Sequence, residues 1–205
     1  MTANTAIRKQ TGTQKDRRAA ILDVAAELFA RDGFSAVSMR DLAREVGLTP
    51  AALYYHFPDK ETLYTEVLRS VFSDKTANAV DILNTGKEPL DLLDDLIAYS
   101  LDVFVLDPVL SRLLRRELLD GNDERIRFFA DEFGRGPYAA LTEVMQRLAP
   151  DMDPELSATS VMGLILGHVE LTPLHLQLCR NHNPKTHQKA LARHIRQVLL
   201  DGLKP

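Results

Sequence analysis

The chain has 205 residues, of which 45% are hydrophobic and 26% charged, with a formal net charge of −4; this is the composition of an ordinary globular protein and excludes a fibrous or wholly disordered one. One cysteine, Cys179, excludes an internal disulfide and fits a reducing compartment. No apolar run opens the chain as a secretory signal would, and the most apolar segment, 161–171, is interrupted by His168 and Glu170 and is too short for a bilayer, so a cytoplasmic location is expected.

The charge is unevenly placed. Residues 1–60 hold nine Lys/Arg against seven Asp/Glu, and the remainder is acidic. The first eighteen residues carry five basic groups and one acid, a pattern able to lie along phosphates or enter a minor groove. In chain order, residues 1–14 read as a polar, aperiodic and disordered basic arm. A helix follows over about 15–31, with Ile21, Leu22, Ala25, Leu28 and Phe29 on one face and Asp32-Gly33 as its stop.

The stretch from Ser38 to Tyr55 then places two short helices around a tight turn. Ser38 and Asp41 have the spacing of an acidic capping box. Met39, Leu42, Ala43 and Val46 recur at helical spacing, and Gly47 is suited to the left-handed residue that ends a helix. Thr49 offers a second cap with Pro50 at the first helical position. Leu53 and Phe57 form the apolar side. Helix, glycine turn, helix is the helix-turn-helix arrangement. Its second helix begins with the small set Thr49, Pro50, Ala51 and Ala52, which can approach a major-groove floor and suits thymine methyls better than bidentate hydrogen bonds. Tyr54, Tyr55 and His56 are donors for phosphate, as are Lys60 and the N–H groups at the next helix start. Arg40 reaches either phosphate or a base, or is simply a solvated charge.

Asp59 caps a helix over about 60–83, roughly 36 Å long at 1.5 Å per residue. Beyond it, proline and glycine punctuate helices over about 89–106, 108–119, 123–133, 137–148, 154–179 and 185–200. The run Gly134-Arg135-Gly136-Pro137 is expected to break the 123–148 stretch in two, and Pro173 to kink the helix it falls in. No segment alternates as a strand. The chain reads as all-α: a helix-turn-helix head over 15–59, then a helical bundle over 60–205 for ligand binding and dimerisation.

Taken together, residues 15–70 resemble the N-terminal domain of TetR-type (tetracycline-repressor-like) transcriptional regulators. Ala25, Leu28, Phe29, Gly33, Phe34, Leu42, Ala43, Gly47, Leu53, Tyr54, Tyr55, His56, Phe57, Lys60, Leu63 and Leu68 carry the resemblance. It implies a homodimeric, ligand-responsive regulator, a repressor that leaves a pseudo-palindromic operator when a small molecule binds, with double-stranded DNA and the effector as partners. It also implies that the last two helices of two subunits make a four-helix bundle. Leu164, Leu171, Leu178, Leu191, Ile195, Val198 and Leu199 are then the interface candidates.

Two constellations compete with blander readings. His168, His175, Cys179 and His182 lie within about 60° of one helix face and could serve zinc, making a metal-responsive regulator the alternative; histidines bordering a leucine seam are more commonly interface residues, so no metal is assigned. Tyr99, Phe104, Phe129, Phe133 and Tyr138 are either core or the wall of an apolar pocket, with Arg116 or His168 to fix a polar end. The expected effector is apolar or amphipathic. No phosphate loop, nucleophile motif or carboxylate pair supports catalysis, and the chain is not expected to be an enzyme, although a helical carrier or enzyme with a purely structural helix-turn-helix stays open. No cofactor is expected.

Overall fold

The computed structural model describes residues 14–119, 122–178 and 184–202, and every regular element among them is helical. The chain divides into two compact units, residues 1–70 and 71–205. The basic arm, apart from Gln14, lies outside the described residues, as do Cys179 and His182.

The first unit is built from α1 (Gln14–Asp32), α2 (Met39–Glu45), α3 (Pro50–His56) and the opening turns of α4 (Lys60–Leu83). Its local signals act as the residues dictate. Ser38 accepts from the Asp41 N–H, and the Asp41 carboxylate accepts from the Ser38 N–H. At the other end of α2, Gly47 takes φ +69. There its N–H donates to the Arg44 carbonyl and the Leu48 N–H to the Ala43 carbonyl, closing the reciprocal pair of bonds that satisfies orphan carbonyls. An L side chain there would cost about 1–2 kcal/mol. Thr49 caps α3 by accepting from the Ala52 N–H, with Pro50 following.

Phe29, Leu42, Leu53 and Phe57 are fully buried between these helices; each such side chain contributes about 1.5–3 kcal/mol. Leu63, Tyr64, Val67 and Leu68 complete this core, and the Tyr64 ring meets Phe29 edge-on at 4.8 Å. That packing moves the unit boundary. The break at Pro58-Asp59 suggests a division before residue 60, yet the first turns of α4 belong to the head because their apolar side chains fill it.

The second unit contains the rest of α4, then α5 (Pro89–Leu106), α6 (Pro108–Leu119), α7 (Asp123–Phe129), α8 (Arg135–Leu148), α9 (Pro154–Leu178) and α10 (Pro184–Gly202). Helix α5 is central and packs against α6, α8, α9 and α10, presenting Leu92, Leu93, Leu96, Ile97 and Leu101 to the core. Side-chain caps recur at the helix starts: Asp107, Asn122 and Asp153 each accept from a backbone N–H three residues on.

Two expectations are corrected here. The Gly134–Pro137 run does not break the chain. A π-helical turn over Ala130–Gly134 joins α7 to α8, with the Arg135 N–H reaching back to the Ala130 carbonyl. The wider turn carries the helix past Pro137, whose missing N–H falls in the first turn of α8, where it disrupts least. The second correction concerns the leucine seams. Leu191, Ile195 and Leu199 pack into this unit's own core, Ile195 with no exposure at all, and so are not free to meet a second copy. Leu171, Leu178 and Val198 are exposed, and Leu164 is half-buried. Among the described residues, no helix is long and apolar enough to cross a membrane.

Candidate functional site

In the head, the buried Leu53 and Phe57 fix α3 by one side, which leaves Thr49, Pro50, Ala51, Tyr54 and Tyr55 exposed and Ala52 and His56 half-buried. The start of the helix therefore offers a nearly flat surface of small side chains, with hydroxyl and imidazole donors one turn further on. Tyr55 is 77% exposed, and its ring rests edge-on against His56 at 5.5 Å. Arg40 is exposed, and Arg44 is tied to Asp41 at 2.8 Å.

Lys60 is placed differently from the phosphate contact its position suggests. Its ammonium donates to the Phe34 carbonyl at 2.9 Å and to the Val37 carbonyl at 3.0 Å, and it stands 4.2 Å from the Phe34 ring centroid. Two of its three N–H donors hold the loop between α1 and α2. Similarly, Arg18 stacks over Phe57 and pairs with Glu66 at 3.2 Å. The carboxylates at helix starts are held ionised: Asp41 is lowered below the usual range chiefly by hydrogen bonds from Ser38, and Asp59 by those from Thr62.

In the second unit, α4 to α9 surround a cavity of about 550 Å³ whose wall is almost entirely apolar. Tyr99, Phe104, Phe129, Phe133 and Tyr138 all line it. Phe72, Phe129 and Phe133 form an aromatic cluster with centroids 4.9–5.6 Å apart. Both tyrosine hydroxyls are committed to the protein: Tyr99 donates to the Lys75 carbonyl and Tyr138 to the Glu155 carbonyl, each at 3.0 Å. The π-helical turn supplies Ala130, Phe133 and Gly134 to the wall.

Arg116 and His168 do not line this cavity. On α6 the wall residues include Leu110, Leu114 and Glu117; at about 100° per residue, position 116 turns away from that face. Glu117, which the sequence reading passed over as one charge among many in 115–117, is therefore the buried polar group of the wall. The contribution of Phe72 was also missed, because it lies past the head on a helix read as a connector.

His168 instead borders a second hollow, between α9 and α10, with Leu171, Leu174, His175, Leu178 and His194. Its ring meets His194 edge-on at 5.6 Å. Burial lowers its pKa below the ordinary imidazole value, and the nearby His194 and His175 lower it further. Among the described residues, no three His, Cys, Asp or Glu side chains are arranged to hold a metal ion.

Comparison with known proteins shows what the chain resembles. Residues 21–67 match the family model described as bacterial regulatory proteins, tetR family. The HTH-type transcriptional repressor KstR2 of Rhodococcus jostii (strain RHA1) is 34% identical over 90 residues, 44% of this chain and 44% of that one. The chain thus spans less than half the length of the curated repressor it matches. Among solved structures, the ketosteroid transcriptional regulator KstR2 of Mycobacterium tuberculosis superposes with a TM-score of 0.70 at 22% identity, over 96% of this chain and 98% of that one. The transcriptional regulator FadR of Bacillus subtilis, in complex with stearoyl-CoA, gives a TM-score of 0.72 at 18% identity, over 90% and 98%. At these identities the likeness is one of fold.

Proposed function

We propose, for a chain that belongs through residues 21–67 to the tetR family of bacterial regulatory proteins, that it binds duplex operator DNA as a homodimer and lets go when an apolar or amphipathic small molecule fills the cavity of its second unit. The observation that carries this reading is the coexistence of an exposed, capped α3 with an apolar cavity of about 550 Å³, within the 300–1,000 Å³ usual for small-ligand sites.

The roles follow from the placement. Thr49, Pro50, Ala51 and Ala52 read bases through apolar and single hydrogen-bond contacts, while Tyr54, Tyr55 and His56 bond phosphates. Lys60 shapes the loop that supports α2. Helix α4 carries Leu63, Tyr64, Val67 and Leu68 for the head core and Phe72, Lys75, Thr76 and Ala79 for the cavity wall. A ligand pressing on the second set acts on the helix that also holds the first. Binding must favour one head spacing over the other, since equal affinity for both would shift nothing. A coupling of about 1–3 kcal/mol lowers DNA affinity about 5- to 150-fold.

Dimerisation is assigned to the exposed Leu171, Leu174, Leu178 and Val198 on α9 and α10. The KstR2 relative is a repressor by its name and the FadR neighbour holds a long-chain acyl thioester; both support a repressor and an apolar ligand for this chain. The test is a thermal-shift screen of apolar compounds followed by duplex-DNA titration with each hit. Release of DNA by a hit, lost when Phe129 and Phe133 are both changed to Ser, is the expected result. Release that survives the double change places the effector elsewhere.

A further inference from the structure

Most of the polar groups in the cavity wall are already answered within the protein. Glu117 stands beside Arg125, with 3.4 Å between Oε2 and Nε, and both are engaged further. Arg135 pairs with Asp131 at 2.7 Å. The Thr76 hydroxyl donates to the Phe72 and Ser73 carbonyls, and the two tyrosine hydroxyls donate to those of Lys75 and Glu155. That leaves the Lys75 ammonium and the Ser100 hydroxyl. Both residues line the cavity and are half-buried, and neither side chain has a hydrogen-bond or ion-pair partner among the described residues. Resting on the cavity reading above, we propose that Lys75 is a specificity-determining residue: the ligand has an apolar body ended by an anionic oxygen group, a carboxylate or a phosphate, which the Lys75 ammonium receives with Ser100 as a second donor.

Helix spacing accounts for the placement. Phe72, Lys75, Thr76 and Ala79 recur at i, i+3, i+4 and i+7 along α4 and all line the cavity, so the lysine stem shares the face on which Phe72 meets Phe129 and Phe133. The bond from the Tyr99 hydroxyl to the Lys75 carbonyl ties α5 to α4 one residue before Ser100. A lysine so placed lays its methylenes along apolar surface and keeps its ammonium toward water. Water is within reach, because Leu118, Ile126, Arg135 and Met162 of the same wall are exposed. An anionic head meeting Lys75 therefore keeps part of its hydration. The same openness screens the attraction, so selection by charge amounts to several-fold rather than several hundred-fold. The apolar body supplies most of the affinity, and Lys75 sorts amphiphiles by their heads: an anion is favoured, and an ammonium meets a like charge.

The experiment is isothermal titration of the full-length protein with decanoate, monodecyl phosphate, decan-1-ol and decylamine, each below its micellar concentration. The readout is the change between parent and variant, since the free compounds differ in hydration. Lys75→Met keeps the stem and removes the charge. It is expected to weaken the two anions about three- to tenfold, to leave decan-1-ol within about twofold, and to tighten decylamine. Lys75→Gln gives the same comparison should Lys75→Met not fold, and Lys75→Arg, which keeps the charge, is expected to preserve the preference for anions. A response confined to decanoate or to the phosphate assigns the head to that chemistry. Neither anion weakened by Lys75→Met, or decan-1-ol weakened by the same factor as the anions, overturns the proposal. If the anions are indifferent to Lys75 while Phe129→Ser abolishes decan-1-ol binding, the head-group inference fails and the cavity reading survives. If no compound binds, or binding is indifferent to Phe129→Ser, the cavity reading fails and takes this inference with it.

Discussion

Lys60→Met separates two roles that a basic residue beside a reading helix can have. The methionine keeps the apolar stem and deletes the ammonium, so the Phe34 and Val37 carbonyls lose partners at 2.9 and 3.0 Å. A hydrogen bond to a charged group contributes about 1.5–3 kcal/mol, and the contact with the Phe34 ring adds about 0.5–1. Because the site is half-buried, water can reach part of the exposed carbonyl surface, and the expected loss is about 2 kcal/mol, a roughly 30-fold rise in local opening. Hydrogen exchange of peptides covering residues 34–57, read by mass spectrometry, measures that opening directly. The same variant is then titrated with duplex DNA at several salt concentrations. A lost phosphate contact would lower the slope of log K against log salt by about 0.9, but a lost loop clamp leaves the slope unchanged. A slope reduced by about one, with exchange protection as in the parent, would refute the structural role and return Lys60 to the DNA surface.

Tyr55→Ala is expected to weaken binding to specific and random duplexes alike by several-fold without loss of helicity, because the side chain is 77% exposed; competition electrophoresis with both duplexes checks this. The stability of the second unit is expected to fall as pH drops from about 7.5 to 5.5. His168 has a folded pKa below its ordinary 6.5, so the unfolded chain takes the proton first and acid favours unfolding. Urea denaturation across that range, with a shallower dependence in His168→Gln, is the check. Leu171→Glu with Leu178→Glu places charges at positions 59% and 72% exposed in the single chain; sedimentation is expected to show a dimer for the parent and a monomer for the double variant.

What could be seen in the sequence was what neighbouring residues settle among themselves. Ser38 with Asp41, Thr49 with Pro50, and Gly47 fix the ends of α2 and α3 by bonds spanning three to five residues, and such signals survive without knowledge of the fold. Periodicity likewise found the apolar faces but could not say what covers them. Leu171 and Leu191 belong to seams of the same kind, yet one is exposed and the other meets α5 and its neighbours in the core. Aromatic residues at helical spacing marked the cavity wall, whereas the charge on that wall was missed by one position, from Arg116 to Glu117, a rotation of about 100°. The Lys60 clamp spans 23 and 26 residues and depends on how α1 and α4 pack, which no local pattern encodes. The π-helical turn was hidden for a related reason. Gly134 and Pro137 read as a break by propensity, and the insertion of one wider turn within a packed helix overrides that preference.

The most direct test of the central claim is the binding of full-length protein to duplex DNA by fluorescence anisotropy as salt rises from 50 to 200 mM (about the range over which phosphate-dependent complexes change most). The account predicts tight binding at the low end and a linear fall of log K with log salt. For a dimer making six or more phosphate contacts, that fall amounts to about 10³ or more across the range. Absence of binding at low salt by a folded dimer, or an affinity indifferent to salt, would contradict it.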